Sequence, residues 1–152
     1  MDFTHAHLFT NHLPIIGSII NFIFFAYALS KKRVDLIRLA LWFFVVIAVL
    51  IIPVYLTGSP AEESIINLPG MSEDLIEPHE SAGLVTFIIM EVIGVVSLIT
   101  VLIYKKDTNI PSWIGYSIAV AALAFIISAG ITANSGGQIR HPEIRPEEIK
   151  TE

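Results

Sequence analysis

The chain has 152 residues, of which 54% are hydrophobic and 15% charged, with a net charge of −5 and no cysteine. Average soluble domains carry about a quarter charged residues, and a mean hydropathy of +0.72 separates this chain from them and from disordered chains. The missing cysteines exclude a disulfide scaffold, thiolate-held zinc or iron–sulfur centres, covalent c-type haem attachment and thiol catalysis; the acidic balance excludes the basic face that nucleic acid requires.

Four apolar stretches follow one another. The first is Leu13–Leu29 and the second is Leu39–Leu56, which holds no charge. The third covers about 82–104 with Glu91 as its single charge, and the fourth about 110–133. Each approaches the roughly 20 residues that a helix needs to cross a bilayer. Lipid offers no partner to open backbone, and the runs lack the period-two polarity of barrel strands. The opening MDFTHAH has no basic region and no cleavage motif precedes SKKR, so the first stretch reads as a retained span, not a signal peptide. The expected fold is all-α: one integral membrane domain, a four-helix bundle of two antiparallel hairpins. Its spans are expected at 12–30, 36–57, 79–104 and 110–133, with an outer loop over 58–78 and an outer tail over 134–152.

Basic residues set the expected direction. Lys31, Lys32, Arg33 and Arg38 mark the first connection, Lys105 and Lys106 the third. The long second connection has no Lys or Arg but six carboxylates: Glu62, Glu63, Glu73, Asp74, Glu77 and Glu80. The positive-inside rule then puts the basic loops in the cytoplasm and both termini outside. The expected location is a bacterial inner membrane, with the acidic loop on the periplasmic side. No internal repeat stands out, although the two hairpins could be distant copies.

Under that topology all five histidines, His5, His7, His12, His79 and His141, fall at the outer face. Imidazole is the common nitrogen ligand of haem iron and of transition metals. Two histidines on different helices of a bundle can approach one iron from opposite faces. His12 and His79 each open a span from the same side and are the expected axial pair. Small residues follow them: Gly17 and Ser18 below His12, Gly83 and Thr86 on the His79 face. His7 and His141 are the reserve pair, for a second haem or a supporting role. Pro14 either kinks a helix already running through His5, or lies in the first turn of a helix starting near Asn11, which frees His5 and His7 in an arm. Pro78 marks the expected start of the third helix, with Glu77 as its cap. The same histidines with Glu77 or Glu80 are also a candidate copper or zinc site. Small residues at these spacings equally serve plain helix packing, which leaves a cofactor-free structural subunit as the third reading.

A resemblance enters on particular residues. The segment His7-Leu-Phe-Thr-Asn-His12-Leu-Pro14-Ile is similar to the opening signature of a bacterial family of four-helix membrane proteins, domain of unknown function 2231. Further matching positions are Thr57-Gly58 after the second helix, His79 at the third, and Gly136-Gly137 with His141 after the fourth. Leu8 and Leu13 replace the family's Pro and Phe. The resemblance implies a membrane-embedded haem or metal protein. In helix count and histidine placement the chain also resembles b-type membrane cytochromes, an analogy of architecture.

Glu91 lies mid-span, about 18 Å below His79 at 1.5 Å per residue. An acid there costs about 2.5–3.5 kcal/mol on insertion scales. It reads either as a proton relay beside a quinone site or as a neutral clamp bonded to Asn21, Thr86 or a serine. The expected function is electron transfer by one or two b haems near the outer face, between quinol or a respiratory complex and an external redox partner. That makes the protein an electron carrier or redox subunit, alone or in an oligomer, and not a hydrolase.

Overall fold

The structure, a computed structural model, describes residues 3–104 and 109–146. Lys105 and Lys106 of the third connection lie outside these residues, as does the end of the tail beyond Pro146. Five α-helices follow in order: α1 (Phe3–Thr10), α2 (His12–Ser30), α3 (Val34–Glu63), α4 (Glu73–Ile103) and α5 (Ser112–Arg140), then a 3-10 turn over Pro142–Ile144. Among the described residues there is no strand. Four stretches are long and apolar enough to cross a membrane: Thr4–Ser30, Val34–Glu63, Glu73–Ile103 and Ser112–Arg140.

The first span is α1 and α2 with a break at Asn11. The Asn11 N–H still bonds the His7 carbonyl at 3.0 Å. Pro14, in the first turn of α2, has no N–H to offer the turn before it. His5 and His7 therefore sit on a helix of their own and not in a loose arm.

The helix ends remote from Lys31, Lys32 and Arg33 differ from expectation. The sequence places a loop over 58–78, but α3 runs through Pro60 to Glu63 and α4 begins at Glu73, ahead of Pro78. Ser72 and not Glu77 stands at the N-cap position of α4, although its side chain makes no capping bond. α5 likewise continues past 133 to Arg140. An internal proline costs a helix about 3 kcal/mol. Here a second apolar cluster offsets it: Leu75, Ile76 and Ile139 are buried together, with Ile65, Ile66 and Met71 packed on them. Glu73 and Asp74 also lie in the first turn of α4, where acids complement the helix dipole.

Each long helix packs on the next, and α2 also packs on α5. The main core holds Phe25, Leu41, Phe44, Met90, Ile93 and Phe125, with the Phe25 and Phe44 rings edge-on at 5.5 Å. The other faces carry large exposed apolar side chains, among them Ile20, Ile23, Val49, Leu102 and Val120. A water-soluble bundle would put polar residues there, so this belt suits lipid.

Burial reveals a repeat that residue identity hides. Moved on by seventy-two positions, the buried Pro14, Ser18, Asn21, Phe25 and Ala28 of α2 become Thr86, Met90, Ile93, Ser97 and Thr100, all buried in α4. Moved on by seventy-eight, Ile37, Ala40, Phe44, Ile47, Ile51 and Ala61 of α3 become Gly115, Ile118, Ala122, Phe125, Ala129 and Ile139, all buried in α5. The two offsets differ because the connections within each half differ in length. The two halves thus share a pattern of buried positions, with unequal fillings. Gly94 of α4 packs so closely on Ala48 of α3 that a Cβ would collide with it; the corresponding positions in α2 and α5 are Phe22 and Ile126, both partly buried against the core.

Candidate functional site: a paired-histidine cradle

The repeat brings two histidines together. His7 of α1 and His79 of α4 have ring centroids 6.5 Å apart and planes 89° apart. His7 Nδ1 lies 3.0 Å from the Val54 carbonyl and 3.3 Å from Thr57 Oγ1. His79 Nδ1 lies 2.9 Å from the Thr132 carbonyl and 3.3 Å from Ser135 Oγ. Val54 and Thr132, and Thr57 and Ser135, are the same positions in the two halves. A carbonyl only accepts, so each Nδ1 carries the proton and donates it. The neutral ring then keeps its lone pair on Nε2, the arrangement typical of a metal-ligating histidine.

The two hydroxyls are fixed in turn. Thr57 Oγ1 donates to the Pro53 or Val54 carbonyl at 2.8 and 3.0 Å, and Ser135 Oγ donates to the Thr132 carbonyl at 3.0 Å. Both can therefore accept from imidazole. Thr132 is anchored further: Thr86 Oγ1 lies 2.8 Å from Thr132 Oγ1 and 2.6 Å from Ser128 Oγ. Glycine follows each hydroxyl. A Cβ on Gly136 would stand 2.8 Å from His79 Cε1, and one on Gly58 would stand 3.8 Å from His7 Cε1.

Metal–imidazole bonds measure about 2.0–2.1 Å, and a ring nitrogen lies about 1.1 Å from its centroid, so two imidazoles on opposite sides of one metal have centroids about 6.3 Å apart. The observed separation of 6.5 Å matches that spacing in distance, and two neutral imidazoles with Nδ1 fixed by a carbonyl are the donor chemistry that haem iron or another transition metal takes. Among the described residues no three His, Cys, Asp or Glu side chains converge as a metal-ligand group, so a copper or zinc site of three histidines with Glu77 or Glu80 has no counterpart there.

The remaining sequence candidates fall elsewhere. The ring beside His79 belongs to His7, not to His12: His12 is exposed and its Nδ1 lies 3.2 Å from the Leu8 carbonyl of its own span. Asn11 keeps helical backbone angles (φ −62°, ψ −26°), so His7, five residues before His12, lies about 140° round the helix from it, and His7 is the one that meets α3. His141 is exposed too, with Nδ1 2.9 Å from Glu143; the backbone N–H of Glu143, and after it the His141 contact, hold the Glu143 carboxyl below the ordinary range. The reserve pair, His7 with His141, is thus split between the cradle and the surface. A Cβ on Gly83 would stand 3.9 Å from Thr132 Cγ2, an ordinary contact, so the Gly83 position does not demand glycine, whereas Thr86 bonds α4 to α5. Glu91 has a buried Oε1 with no hydrogen-bond partner. Of its expected partners, Asn21 donates its amide to the Ala40 carbonyl at 3.0 Å while its Oδ1 is buried without a partner, Thr86 is bonded to α5, and the buried hydroxyls of Ser18 and Ser97 bond to no described group. Residue-level reading missed Val54, Thr132 and Ser135. Their signal is a hydroxyl residue followed by glycine, Thr57-Gly58 and Ser135-Gly136, late in the second helix of each half.

Five carboxylates, Glu62, Glu63, Glu73, Glu77 and Glu80, line an open cleft of 530 Å³ between α3 and α4. Comparison with family models, with curated proteins and with solved structures found no match for this chain.

Proposed function

We propose that the protein is a membrane b-type cytochrome, in which His7 and His79 hold one haem between the two halves of the bundle. The carrying observation is the matched pair of imidazoles, 6.5 Å apart, each with its Nδ1 proton tied to a helix carbonyl. Haem bound there supplies a one-electron couple, with a potential set by axial ligands, hydrogen bonding and burial. The chain's own part is to fix both rings, raise their basicity through Nδ1–H donation, and exclude water with the apolar bundle. The cradle lies at the end of the bundle opposite Lys31, Lys32 and Arg33. In a bacterial inner membrane with the basic loops inside, that end is periplasmic. Electrons then pass between membrane quinol, or a larger respiratory complex, and a partner outside.

The test is absorbance of the purified protein with and without added haemin. Native protein is expected to give the sharp spectrum of low-spin, six-coordinate haem. His7→Ala and His79→Ala should each abolish it, and His5→Ala, His12→Ala and His141→Ala should leave it. Loss on His12→Ala with retention on His7→Ala would sink this pairing. Bound copper or zinc with no haem would overturn the cytochrome reading.

A further inference from the structure

At the end of the bundle remote from the cradle, an apolar groove of 290 Å³ lies between the close of α4 and the start of α5. The connection between these helices runs over 104–111, whereas 31–33 alone join α2 to α3, and the longer connection lets the helices part. Thr100 and Ile114 form the buried floor of the groove, and Val96, Ile99, Ile103 and Trp113 its exposed walls. Thr100 Oγ1 donates to the Val96 carbonyl at 2.7 Å, so the floor is left with no hydroxyl donor to offer. From 96 to 103 the groove follows α4 for about 10 Å at 1.5 Å per residue. A slot of that length with hydrocarbon walls, open toward the belt of exposed apolar side chains, suits an acyl chain.

Charge decides which lipid. Tyr104 also lines the groove, and Arg38 of α3 donates through Nη1 to the Tyr104 carbonyl and, at 3.4 Å, to that of Val101. A guanidinium thus stands against a residue of the groove itself. The same bonds place the start of α3, and with it Lys31, Lys32 and Arg33, at this end of the bundle. Among the described residues of these helix ends Asp35 is the only carboxylate, and Arg33 pairs with it at 2.7 Å. The first turn of α5, which supplies Trp113 and Ile114, carries no acid and no side-chain cap, so the helix dipole adds to the positive field there. The five glutamates of the α3–α4 cleft lie at the other end. We propose that the groove seats one acyl chain of an anionic phospholipid, with the phosphate beside Arg38. Basic residues at a membrane surface attract such lipids, and the groove holds one of them in place.

Trp42 and Trp113 are the chain's two tryptophans, so Trp42→Phe leaves one fluorescent reporter, on the groove wall. The test places that protein in phosphatidylcholine vesicles holding a minor share of lipid brominated in its acyl chains. Brominated phosphatidylglycerol is expected to quench Trp113 at about a fivefold lower share than brominated phosphatidylcholine, the weight of one basic residue. Arg38→Gln should bring the two lipids level, and Arg38→Lys should keep most of the preference. Ser117 lines the groove and is exposed, so Ser117→Phe fills the groove from outside the core and should also bring the lipids level. Equal quenching by the two lipids in the Trp42→Phe protein overturns the proposal, as does a full preference that survives either Arg38→Gln or Ser117→Phe. Strong quenching by a quinone with no preference for the anionic lipid overturns it too, and gives the groove to a quinone.

Discussion

The hydroxyl of Thr86 lies 2.8 Å from that of Thr132, the residue whose carbonyl faces His79 Nδ1. One threonine thus ties α4 to α5 and steadies the acceptor for the histidine above it. Thr86→Val keeps the shape and removes the bond. Interhelical hydrogen bonds in membrane bundles average about 0.6 kcal/mol, so thermal unfolding in detergent should show a small loss. Haem content should fall only slightly, since the carbonyl remains. A protein unchanged in stability would mean that the three hydroxyls here are not coupled.

Gly136 and Gly58 occupy equivalent positions but differ in tolerance. A Cβ at 136 would press within 2.8 Å of His79 Cε1, whereas a Cβ at 58 meets His7 Cε1 at an ordinary 3.8 Å. Gly136→Ala should displace the His79 ring and weaken haem binding about tenfold, a cost typical of overpacking at 1–3 kcal/mol. Gly58→Ala should bind nearly as the native protein does. Comparable titrations of the two variants would show that the cradle yields freely on the α5 side.

Glu91 keeps a buried oxygen without a hydrogen-bond partner among the described residues. Glu91→Leu removes an acid whose insertion costs roughly 2.5–3.5 kcal/mol, and should raise the thermal midpoint. Glu91→Gln should change stability less, because an amide still has polar atoms to bury. If the leucine variant is destabilised, Glu91 clamps the bundle after all. If the glutamine variant loses quinol-linked reduction at unchanged haem content, Glu91 relays protons.

Sidedness is testable because the chain has no cysteine of its own. In intact cells, Ser64→Cys should react with an impermeant thiol reagent and Ser30→Cys should be shielded. The reverse result would put the cradle on the cytoplasmic side.

The four spans were legible because their apolar runs are long and carry one internal charge, Glu91. The outer helix ends were not. Gly58, Pro60 and Pro78 read as breakers, yet burial of Leu75, Ile76 and Ile139 carries helix through them. That histidines from separate spans come together was legible in part from their placement near the same ends of the spans, although the pair that meets is His7 with His79 and not His12 with His79. Which of them meet depends on how α1 packs on α3, a tertiary matter that spacing does not encode. The repeat was hidden because it conserves burial and not residue type: Phe25 answers to Ser97, and Asn21 to Ile93.

In a symmetric pair of identical chains every substitution is written twice, so neither side can differ from the other. Here both halves lie on one covalent chain, and each position is free to diverge from its mate. Glycine can stand at 94 where its counterpart is Phe22, so that one seam closes tightly while the other stays wide. A lone acid can occupy 91 where its mate is Ile19. Joining the halves lets one helix seam be tight and its counterpart loose, a difference that two identical chains could not hold.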